Sequence, residues 1–398
     1  MRIVFLLETL QLAGAERVVL ELAKAAPSED CEATVVVLSE TSRLDSGQYG
    51  DVQELALFGQ GDFEWPRSAL LGAWKLRRLL ARLRPDLIAI HTPKAAVVAA
   101  LAGIKVPTLW VLHGHDICWD GVTARRKLSR GLQRWAQRRL RAQMAAVSGS
   151  LAQHAAEGLD VPRQEVAVIP NGVETARFQF EERIPRADPV VCVLGRLVAW
   201  KGPWQALAAF SFLKKRFPGA RLWFVGGGPM REELGAAVAA HGWNKSVVFW
   251  GMVERPEEWL RQATVLWMPS ESEGLPVACV EAMASGVPVL GFDVRGVRDL
   301  LRDGCGVLVP PGDPGQLAAQ TVRLVGDPDR YSRIAEAARL RVESQYSVEQ
   351  MYAGHFGLMR LLCAGKPVVT GAVPTEIGLS ACGVHAEEEG KRWSAGIR

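Results

Sequence analysis

The chain has 398 residues, of which 48% are apolar and 23% are charged, and this balance excludes general disorder and is typical of a folded globular protein. Its length predicts two or three domains, its formal net charge is +4, and no apolar run reaches the ~18 residues of a membrane-spanning helix. An early charge at Glu8 argues against a secretory leader, and seven scattered cysteines without a C-x-x-C pair argue against a disulfide framework or a zinc site, so we expect a cytoplasmic protein.

The first half of the chain alternates short apolar runs with segments of helical periodicity. Apolar runs without polar alternation predict buried strands over 2–7, 33–38, 86–91, 108–112 and 145–148. Apolar residues at helical spacing predict helices over 15–26, 69–83, 94–103, 125–144 and 150–158. Because strands alternate with helices, we expect parallel β-α-β units and a doubly wound α/β domain.

The same alternation restarts after the polar segment 181–188, which has the composition of a linker. Strands are predicted over 189–194, 221–225, 247–250, 264–268, 288–292 and 306–309. Helices are predicted over 203–217, 230–241, 256–262, 277–284, 297–302, 316–325, 331–344 and 348–363. The sequence therefore predicts two doubly wound domains of similar size.

Two cations lie on a glycine-bracketed loop that joins the strand 189–194 to the next helix. Arg196 follows the first glycine, and Lys201 precedes the second at the start of the helix. A helix N-terminus offers free N–H groups and a positive dipole, and arginine can bind phosphate oxygens in a bidentate manner. The pattern indicates a site for an anionic group; the alternative is a solvated loop with charges placed by chance.

The segment 269–281 carries the most specific pattern. Glu273 lies on a loop after a strand, Gly274 and Leu275 lead into the next helix, and Glu281 lies just over one turn inside that helix. N–H groups at the helix start can face a phosphate, while the carboxylates can accept hydrogen bonds from hydroxyl groups on either side of it. A sugar nucleotide has this layout of sugar, diphosphate and ribose. The alternative is that Glu273 caps the helix and Glu281 stabilises its dipole.

The first half of the chain contributes His113 at the carboxyl end of the strand 108–112. Ligands of doubly wound sheets bind outside these strand ends, so His113 could orient a reacting sugar; the alternative is a structural histidine. His115 follows, but no third ligand at a convincing spacing completes a metal site. Gly14 lies in a small-residue turn that opens the first helix. A D-x-D sequence at 327–329 lies between two helices, so we expect it to cap a helix rather than bind a metal.

A series of short motifs occurs in order along residues 1–363, most densely over 190–312. They are AGAER (13–17), HGHD (113–116), IPNGV (169–173), GRL…KG (195–202), VGGGP (225–229), FWGMV (249–253), PSESEGLPVACVEAMASGVPVL (269–290) and GVLVPPGD (306–313). Taken together, this series resembles the retaining glycosyltransferases of family four, which have the GT-B fold. Two departures from the family pattern are Ala13 in place of a first glycine and the segment 295–299, which has a shorter acid and an added arginine.

The resemblance implies the α/β architecture of that fold, in which two Rossmann-like, doubly wound parallel-sheet domains face each other across a cleft. Residues 1–184 would form the acceptor-side domain, and residues 185–346 would bind the nucleotide sugar. A C-terminal helix over 347–364 would pack back on the N-terminal domain. Residues 365–398 would form a flexible tail.

The resemblance also implies roles for the residues that could hold the donor phosphates. Arg196 and Lys201 would hold the diphosphate of the donor, and both are candidate catalytic residues because they face its developing charge. Gly274 and Leu275 would offer backbone N–H groups to the phosphates.

The other implied roles concern the sugar, the ribose, the base and the acceptor side. Glu273 would bind donor-sugar hydroxyls, and His113 would contact the donor sugar near the reacting carbon, which makes both candidate catalytic residues. Glu281 would bind the ribose, and Val253 would lie beside the base. Gly14 would approach the phosphates or the acceptor from the opposite domain.

The implied reaction moves a sugar, of the hexosyl type, from a nucleotide-diphosphate sugar to a hydroxyl of an acceptor with retention of configuration. Cationic side chains and a helix N-terminus can stabilise the leaving diphosphate, so we expect neither a metal nor a cofactor. Two alternatives stay open: a catalytically inactive sugar-nucleotide or polysaccharide-binding protein, and a sugar-nucleotide epimerase of the same fold. A nicotinamide dehydrogenase is disfavoured, since no G-x-G-x-x-G follows a strand.

Residues 67–141 contain sixteen Lys and Arg but only three acids. The stretch Thr123–Met144 holds eight of these cations and no acid, with Arg126, Arg130, Arg134 and Arg138 beside an apolar stripe. This composition is typical of a helix that lies on an anionic membrane, and the alternative is an ordinary helix whose apolar side faces the core. We expect a carbohydrate or glycolipid acceptor, lipid-linked or part of a cell-envelope polysaccharide, at the cytoplasmic face of a membrane. Nucleic acid is not expected as a partner, because no aromatic and basic platform is present.

Overall fold

The computed structural model describes residues 1–10, 14–39, 51–58, 67–114 and 124–366. Among the predictions above, those that concern Ala13, His115, Thr123 and the tail beyond residue 366 lie outside the described residues. No helix in the described ranges is long and apolar enough to cross a membrane.

A parallel seven-stranded sheet forms the framework of the N-terminal half. Its strands are β1 Arg2–Leu7, β2 Glu32–Ser39, β3 Asp51–Phe58, β4 Leu87–Ile90, β5 Thr108–Leu112, β6 Gln143–Ala146 and β7 Val166–Val168. They lie in the order β3-β2-β1-β4-β5-β6-β7. The helices that connect them are α1 Gly14–Ala25, α2 Arg67–Leu83, α3 Pro93–Ala102, α4 Ala124–Leu140 and α5 Gly149–Leu159.

A parallel six-stranded sheet forms the framework of the C-terminal half. Its strands are β8 Val190–Leu194, β9 Arg221–Val225, β10 Val247–Gly251, β11 Val265–Met268, β12 Val289–Phe292 and β13 Val307–Val309, in the order β10-β9-β8-β11-β12-β13. The helices are α6 Pro203–Arg216, α7 Arg231–Ala240, α8 Glu257–Leu260, α9 Val277–Ala284, α10 Arg295–Leu301, α11 Pro314–Val325, α12 Pro328–Gln345 and α13 Val348–Cys363.

The apolar runs form strands that are buried on both faces. In β1, Ile3 and Phe5 pack into one hydrophobic cluster, whereas Val4 and Leu6 pack into another on the opposite face of the sheet. Successive side chains of a strand point to opposite faces, so a continuous apolar run is needed when helices cover both. The predicted α/β class with two doubly wound sheets is confirmed.

The last helix, α13, returns to the first sheet. Ser347 begins it with a capping box, in which its side chain accepts from the N–H of Gln350 while the Gln350 side chain accepts from the Ser347 N–H. Met351 and Phe356 then pack into the same cluster as the β1 residues Ile3 and Phe5. The C-terminal helix therefore completes the core of the N-terminal sheet.

Two strands and one helix boundary differ from the sequence predictions. Three of the first four residues of β3 are polar, and β7 has only three residues, so the pattern of apolar runs predicts neither strand. The sequence predicts a helix over 125–144, but α4 ends at Leu140 and β6 begins at Gln143. Arg141 adopts a left-handed conformation with φ 49°, which ends the helix without the glycine that normally marks such a position. The D-x-D sequence does cap a helix, since the Asp327 side chain accepts from the N–H of Arg330.

We expect Phe356→Ala to lower the free energy of unfolding by about 3–5 kcal/mol, because the side chain is fully buried and its removal leaves a cavity in the core. Phe212→Ala is the matched control, since this phenylalanine is 48% exposed on α6, and a change within about 0.5 kcal/mol is expected. Urea unfolding measures both. Equal effects of the two variants would contradict the docking of α13.

Candidate active site

The loop after β8 brings two cations to the carboxyl edge of the second sheet. Gly202 has φ 65°, and a Cβ on this residue would lie 1.9 Å from the carbonyl oxygen of Pro269, so only glycine fits between the loop and its neighbour. The exposed guanidinium of Arg196 lies 5.5 Å from the ring centroid of Trp200. Arg196 and Lys201 both line one small cavity, whose far wall includes Pro269 of the loop after β11.

The loop between β11 and α9 faces these cations. Glu273 is buried there, and its Oε1 atom lies 2.6 Å from Nζ of Lys201. The two loops meet because β8 and β11 are neighbours in the sheet, although the residues are far apart in sequence. The structure therefore brings together Arg196, Lys201 and Glu273, as the sequence predicts for residues that follow adjacent parallel strands.

Gly274 lies at the tightest contact between the two halves of the molecule. A Cβ on Gly274 would lie 2.2 Å from the carbonyl oxygen of His113, and a Cβ on Gly296 would lie 2.2 Å from the carbonyl oxygen of Gly274. The loops after β5, β11 and β12 thus approach with backbone against backbone. The carboxyl edges of the two sheets face each other across this contact.

Polar side chains of the N-terminal half hold the same loop from across the cleft. Ser148 Oγ donates to the carbonyl oxygen of Gly274 at 2.8 Å, and Asn171 Nδ2 donates to that of Leu275 at 3.3 Å. Because C=O and N–H of one trans peptide point in opposite directions, the N–H of Leu275 points away from Ser148. Within the described ranges, the N–H groups of Gly274 and Leu275 have no hydrogen-bond acceptor, so both are available to an anion.

The chain crosses between the halves beside this loop. A Cβ on Gly172 would lie 2.2 Å from the carbonyl oxygen of Ser347, and Val173 exchanges backbone hydrogen bonds with Tyr346 and Val348. The two crossing segments therefore run side by side. Asn171 and Gly172 belong to the IPNGV motif, which the sequence indicates only as a turn.

Glu281 lies in α9 on the opposite side of the loop from Lys201. It is buried, and its Oε1 atom lies 3.6 Å from a guanidinium nitrogen of Arg17, which belongs to α1 of the N-terminal half. Burial raises the pKa of Glu281, while the positive charges of Arg17 and Arg177 oppose that rise. The predicted ribose ligand is thus paired across the cleft with a residue of the AGAER motif to which the sequence assigns no role.

His113 follows β5 and is half-buried at the floor of the cleft. Its Nε2 atom lies 2.8 Å from Nδ1 of His91, and the two rings stack with centroids 5.1 Å apart. Burial, with a smaller effect of the nearby His355, lowers the pKa of His113 to about 3, so the imidazole is neutral at physiological pH. Such a group can exchange hydrogen bonds with a hydroxyl but is a weak base.

The two remaining predicted residues occupy the margins of the cleft. Gly14 begins α1, and a Cβ there would lie 3.9 Å from the Val277 side chain, so the start of α1 faces the start of α9 across the cleft. Val253 follows β10 and packs against the central hydrophobic cluster that also contains Leu275.

The segment 295–299, which departs from the family pattern, joins the two halves. Asp299 accepts from the N–H and the hydroxyl of Ser150 at 3.2 and 2.6 Å, and an Arg295 nitrogen lies 3.0 Å from Nδ1 of His154. The added Arg298 instead pairs with Asp293 on its own domain, at 2.6 Å. Asp299, the shorter acid, therefore forms an interdomain contact with Ser150.

The described residues contain no cluster of three or more His, Cys, Asp or Glu side chains that could hold a metal ion. Sequence reasoning missed four residues that shape the site: Arg17, His91, Ser148 and Asn171. His91 and Ser148 are the last residues of the predicted strands 86–91 and 145–148, and Asn171 lies in a Pro-Asn-Gly turn near a strand end, which is the signal that could have found them.

Comparison with known proteins agrees with this geometry. The model for Glycosyltransferase Family 4 matches residues 12–177, and the model for Glycosyl transferases group 1 matches residues 174–341. The 2-deoxystreptamine N-acetyl-D-glucosaminyltransferase of Streptomyces fradiae is 30% identical over 303 residues, which cover 69% of this chain and 70% of that protein. The chain belongs to the family-four glycosyltransferases. The predicted family is therefore confirmed.

Other relatives of this glycosyltransferase show the breadth of its family. The glycogen synthase of Mycobacterium tuberculosis is 28% identical over 273 residues, which cover 66% of each chain. Among solved structures, the sucrose-phosphate synthase of Thermosynechococcus elongatus superposes with a TM-score of 0.79 at 18% identity, over 92% of this chain and 100% of that one. HepE of Anabaena, solved in complex with UDP-glucose, superposes with a TM-score of 0.74 at 21% identity, over 92% and 100% of the two chains. These likenesses confirm the GT-B fold.

The buried histidines of this glycosyltransferase give it a specific dependence of stability on pH. Burial lowers the pKa of His91, His113 and His355, that of His355 to about 4, so the folded protein keeps all three neutral below pH 6.5 while the unfolded chain binds protons. Their contribution to stability is fully present above that pH and is lost as the pH falls, by about 1.4 kcal/mol per pH unit for each histidine. The pKa of Glu281 is raised, so this carboxyl binds a proton more readily in the folded protein than in the unfolded chain. Its effect on the free energy of unfolding as the pH falls is therefore opposite to that of a histidine.

We therefore expect the free energy of unfolding to decrease between about pH 6.5 and pH 5, as measured by urea unfolding at several pH values. His355→Gln should reduce the slope, whereas His241→Asn, at an exposed histidine, should leave it unchanged. A free energy of unfolding that is constant over this interval would contradict the burial of neutral imidazoles.

Proposed function

We propose that this glycosyltransferase moves a hexosyl-type sugar from a nucleotide-diphosphate sugar to an acceptor hydroxyl, with retention of the anomeric configuration. The observation that carries the proposal is the cavity between the loops after β8 and β11. Arg196 and Lys201 line it, and the free N–H groups of Gly274 and Leu275 lie on the second of these loops. Converging cations and backbone donors are the groups that bind a diphosphate.

The same groups would stabilise the leaving group. As the bond between the anomeric carbon and the phosphate oxygen breaks, negative charge grows on the diphosphate and positive charge grows on the sugar. Lys201 is held beside Glu273, and Arg196 has no carboxylate partner in the part of the chain that the structure describes. A preorganised cation at this position favours the transition state without a bound metal, so we propose a metal-independent reaction without a cofactor.

The neutral state of His113 limits the proton transfers that the site can perform. A histidine with a pKa of about 3 is a poor general base, and Glu273 and Glu281 are both paired with cations. We therefore propose that the acceptor hydroxyl gives its proton to the departing phosphate oxygen as its own oxygen bonds to the anomeric carbon. Retention follows because both events take place on one face of the sugar.

Two further role assignments complete the proposed donor site. Glu273 would accept hydrogen bonds from donor-sugar hydroxyls, and Glu281 would accept them from the ribose, with Val253 beside the base and Gly14 near the phosphates. HepE of Anabaena has been solved with UDP-glucose, and this supports a nucleotide sugar as the donor. The Mycobacterium tuberculosis relative is a glycogen synthase, which supports a carbohydrate acceptor.

We expect Lys201→Ala and Arg196→Ala each to lower kcat/KM by ~10²–10³-fold, because each removes a positive group from the developing charge of the leaving diphosphate. UDP-, GDP- and ADP-sugars are first screened for thermal stabilisation of the protein, and nucleotide release is then measured with the donor that binds. Lys245→Ala is the matched control, since this lysine is exposed on the same domain away from the cavity. Turnover near that of the wild type in either test variant would overturn the diphosphate assignment.

The same assay separates the proposed activity from its alternatives. Binding without nucleotide release, even by slow hydrolysis, would indicate a non-catalytic sugar-nucleotide or polysaccharide-binding protein. An isomerised donor without nucleotide release would indicate an epimerase. The anomeric configuration of the product tests retention, and unchanged turnover in excess EDTA tests independence from metals.

The surface of the N-terminal half supports a membrane-bound acceptor. α4 carries seven Lys and Arg and no acid, and α2 carries five and no acid, while α3 packs between them. Large apolar side chains protrude from the same two helices, with Leu70 64% exposed, Trp74 54% exposed and Leu128 66% exposed. Exposed apolar groups among many cations on one surface are typical of proteins that lie on anionic lipid.

Only part of the apolar stripe that the sequence shows on α4 faces the core, and the rest is exposed. Leu132 and Leu140 pack inward against α3, as the alternative of an ordinary core-facing helix predicts, whereas Leu128 and Trp135 are exposed. Arg134 donates to the carbonyl oxygen of Gly158. The surface proposed for the membrane therefore consists of the outward residues of both α2 and α4, rather than of the whole stretch Thr123–Met144.

We expect the protein to float with anionic phosphatidylglycerol vesicles at low salt and to be released at high salt. The double variant Lys127→Glu, Arg139→Glu should weaken this binding at least about tenfold, since each cation near the surface contributes ~1 kcal/mol. The double variant Lys245→Glu, Arg323→Glu makes the same change of charge on the other domain and should bind as the wild type does. Absence of flotation at low salt would end the membrane proposal.

A further inference from the structure

Each of the two sheets has a topological switch point between two neighbouring strands. In the first sheet the chain runs outward from β1 to β2 and β3, and it then returns to the other side of β1 with β4. In the second sheet it runs from β8 to β9 and β10, and it then returns with β11. Ligands of open α/β sheets bind outside the carboxyl ends of the strands that flank such a point. Lys201 and Glu273 lie at the switch point of the second sheet, so the ends of β1 and β4 mark a second place where a ligand is expected.

An ion pair occupies the switch point of the first sheet. Glu8 follows β1, Lys94 is the second residue of α3 after β4, and Nζ of Lys94 pairs with Oε1 of Glu8. Lys201 and Glu273 form the same arrangement, with the order of the carboxylate and the lysine along the chain exchanged. The backbone of Glu8 is held by the end of β2, since its carbonyl oxygen accepts from the N–H and the hydroxyl of Ser39 at 2.9 and 2.6 Å. The pair is therefore anchored to the sheet.

The pair lies on the edge of the first sheet that borders the cleft. Lys94 lies three residues after His91, whose ring contacts His113 at the floor of the cleft. Glu8 follows β1, and only β4 lies between β1 and β5, the strand that leads to His113. Neighbouring strands are ~4.8 Å apart, so the ends of β1 and β5 are about 10 Å apart. A ligand at the pair would therefore lie close to the residue proposed to contact the donor sugar.

The pair is accessible and offers both hydrogen-bond acceptors and donors. The side chain of Glu8 is 23% exposed and that of Lys94 is 45% exposed. Exposed ion pairs contribute little to stability, so stability alone does not explain a pair at this position. A carboxylate has about four acceptor sites, so its contact with Lys94 leaves Glu8 able to accept further hydrogen bonds. A carboxylate beside an ammonium has no net charge, and the groups that match it are neutral hydroxyls, which both donate and accept.

We propose that Glu8 and Lys94 form an acceptor subsite, where they bind hydroxyl groups of a neutral sugar. Glu8 accepts a hydrogen bond from one hydroxyl, and Lys94 donates to its neighbour. The inference rests on the proposed function, because it names the acceptor of that reaction as a sugar held across the cleft from the donor. Since the pair has no net charge, it favours a neutral sugar over a phosphate or a carboxylate.

Saturation-transfer NMR of the full-length protein tests the subsite. The probes are the methyl glycosides of glucose, galactose, mannose and N-acetylglucosamine. We expect at least one probe to bind, and Glu8→Gln and Lys94→Gln each to weaken its binding at least about tenfold, because each removes a hydrogen bond to a charged group. The controls Asp86→Asn and Arg2→Gln change an ion pair at the opposite ends of the same two strands, so they should bind the probe as the wild type does.

Glu273→Gln identifies the place where the probe binds. A probe that is lost in this variant but retained in both Glu8→Gln and Lys94→Gln occupies the donor site, and that result would overturn the proposal. Absence of binding for all four probes would overturn it as well.

Transfer kinetics add a measurement that a purely structural ion pair would not change. The best-bound probe serves as acceptor, together with the nucleotide sugar that the protein turns over. We expect Glu8→Gln to raise the KM for the acceptor at least about tenfold more than the KM for the donor. An equal rise in both KM values, or a fall in kcat alone, would contradict an acceptor subsite.

The outcomes separate this inference from the proposed function. If a probe binds at Glu8 and Lys94 but the wild type releases nucleotide from none of the donors, the proposed function fails and the sugar site stands. If Glu8→Gln and Lys94→Gln both transfer as the wild type does, the proposed function stands and the subsite is wrong.

Discussion

The site depends on one backbone contact, where Gly274 meets the carbonyl oxygen of His113. A side chain at Gly274 would collide with that oxygen, and a side chain at Gly296 would collide with Gly274 in turn. The absence of Cβ atoms at these two positions lets the carboxyl edges of the two sheets touch. Beside this approach lie the hydrogen bond from Ser148 to Gly274 and the ion pair between Arg17 and Glu281.

The close approach of the two sheets leaves the carboxylates of the cleft buried, and this explains why each is paired with a cation. Glu273 and Glu281 are buried, and a buried charge costs several kcal/mol unless an opposite charge compensates for it. Lys201 serves this purpose from within the C-terminal domain, and Arg17 serves it from the opposite domain. A ribose at Glu281 would therefore lie beside charged side chains of both domains, whereas a sugar at Glu273 would lie beside Lys201.

The sequence predicts contacts within a sheet better than contacts between domains. Apolar runs predict eleven of the thirteen strands in the described ranges, and the position of Lys201 and Glu273 after two such runs is enough to place them at one edge, where they form an ion pair. Arg17 and Glu281 also lie in recognised motifs, but their pairing depends on how two domains dock, which no periodicity records. His91 is the last residue of a predicted strand. Its contact with His113 depends on the pairing of that strand with its neighbour, which the strand pattern alone does not record. The pattern of apolar runs does not predict β3 or β7, because three of the first four residues of β3 are polar and β7 has only three residues.

The topology of the N-terminal sheet relates the proposed membrane surface to the cleft. In a parallel sheet each connecting helix begins near the carboxyl edge of the strand before it, so the first turns of α2 and α4 lie at the edge where His113 stands. Leu70 lies in the first turn of α2 and Leu128 is the fifth residue of α4, and both are exposed. A bilayer that receives these side chains would lie beside the mouth of the cleft, on the side opposite the cations of the donor domain. An acceptor held in the bilayer could then meet the donor sugar without leaving the lipid, and charges on α2 and α4 would orient the protein without taking part in the chemistry.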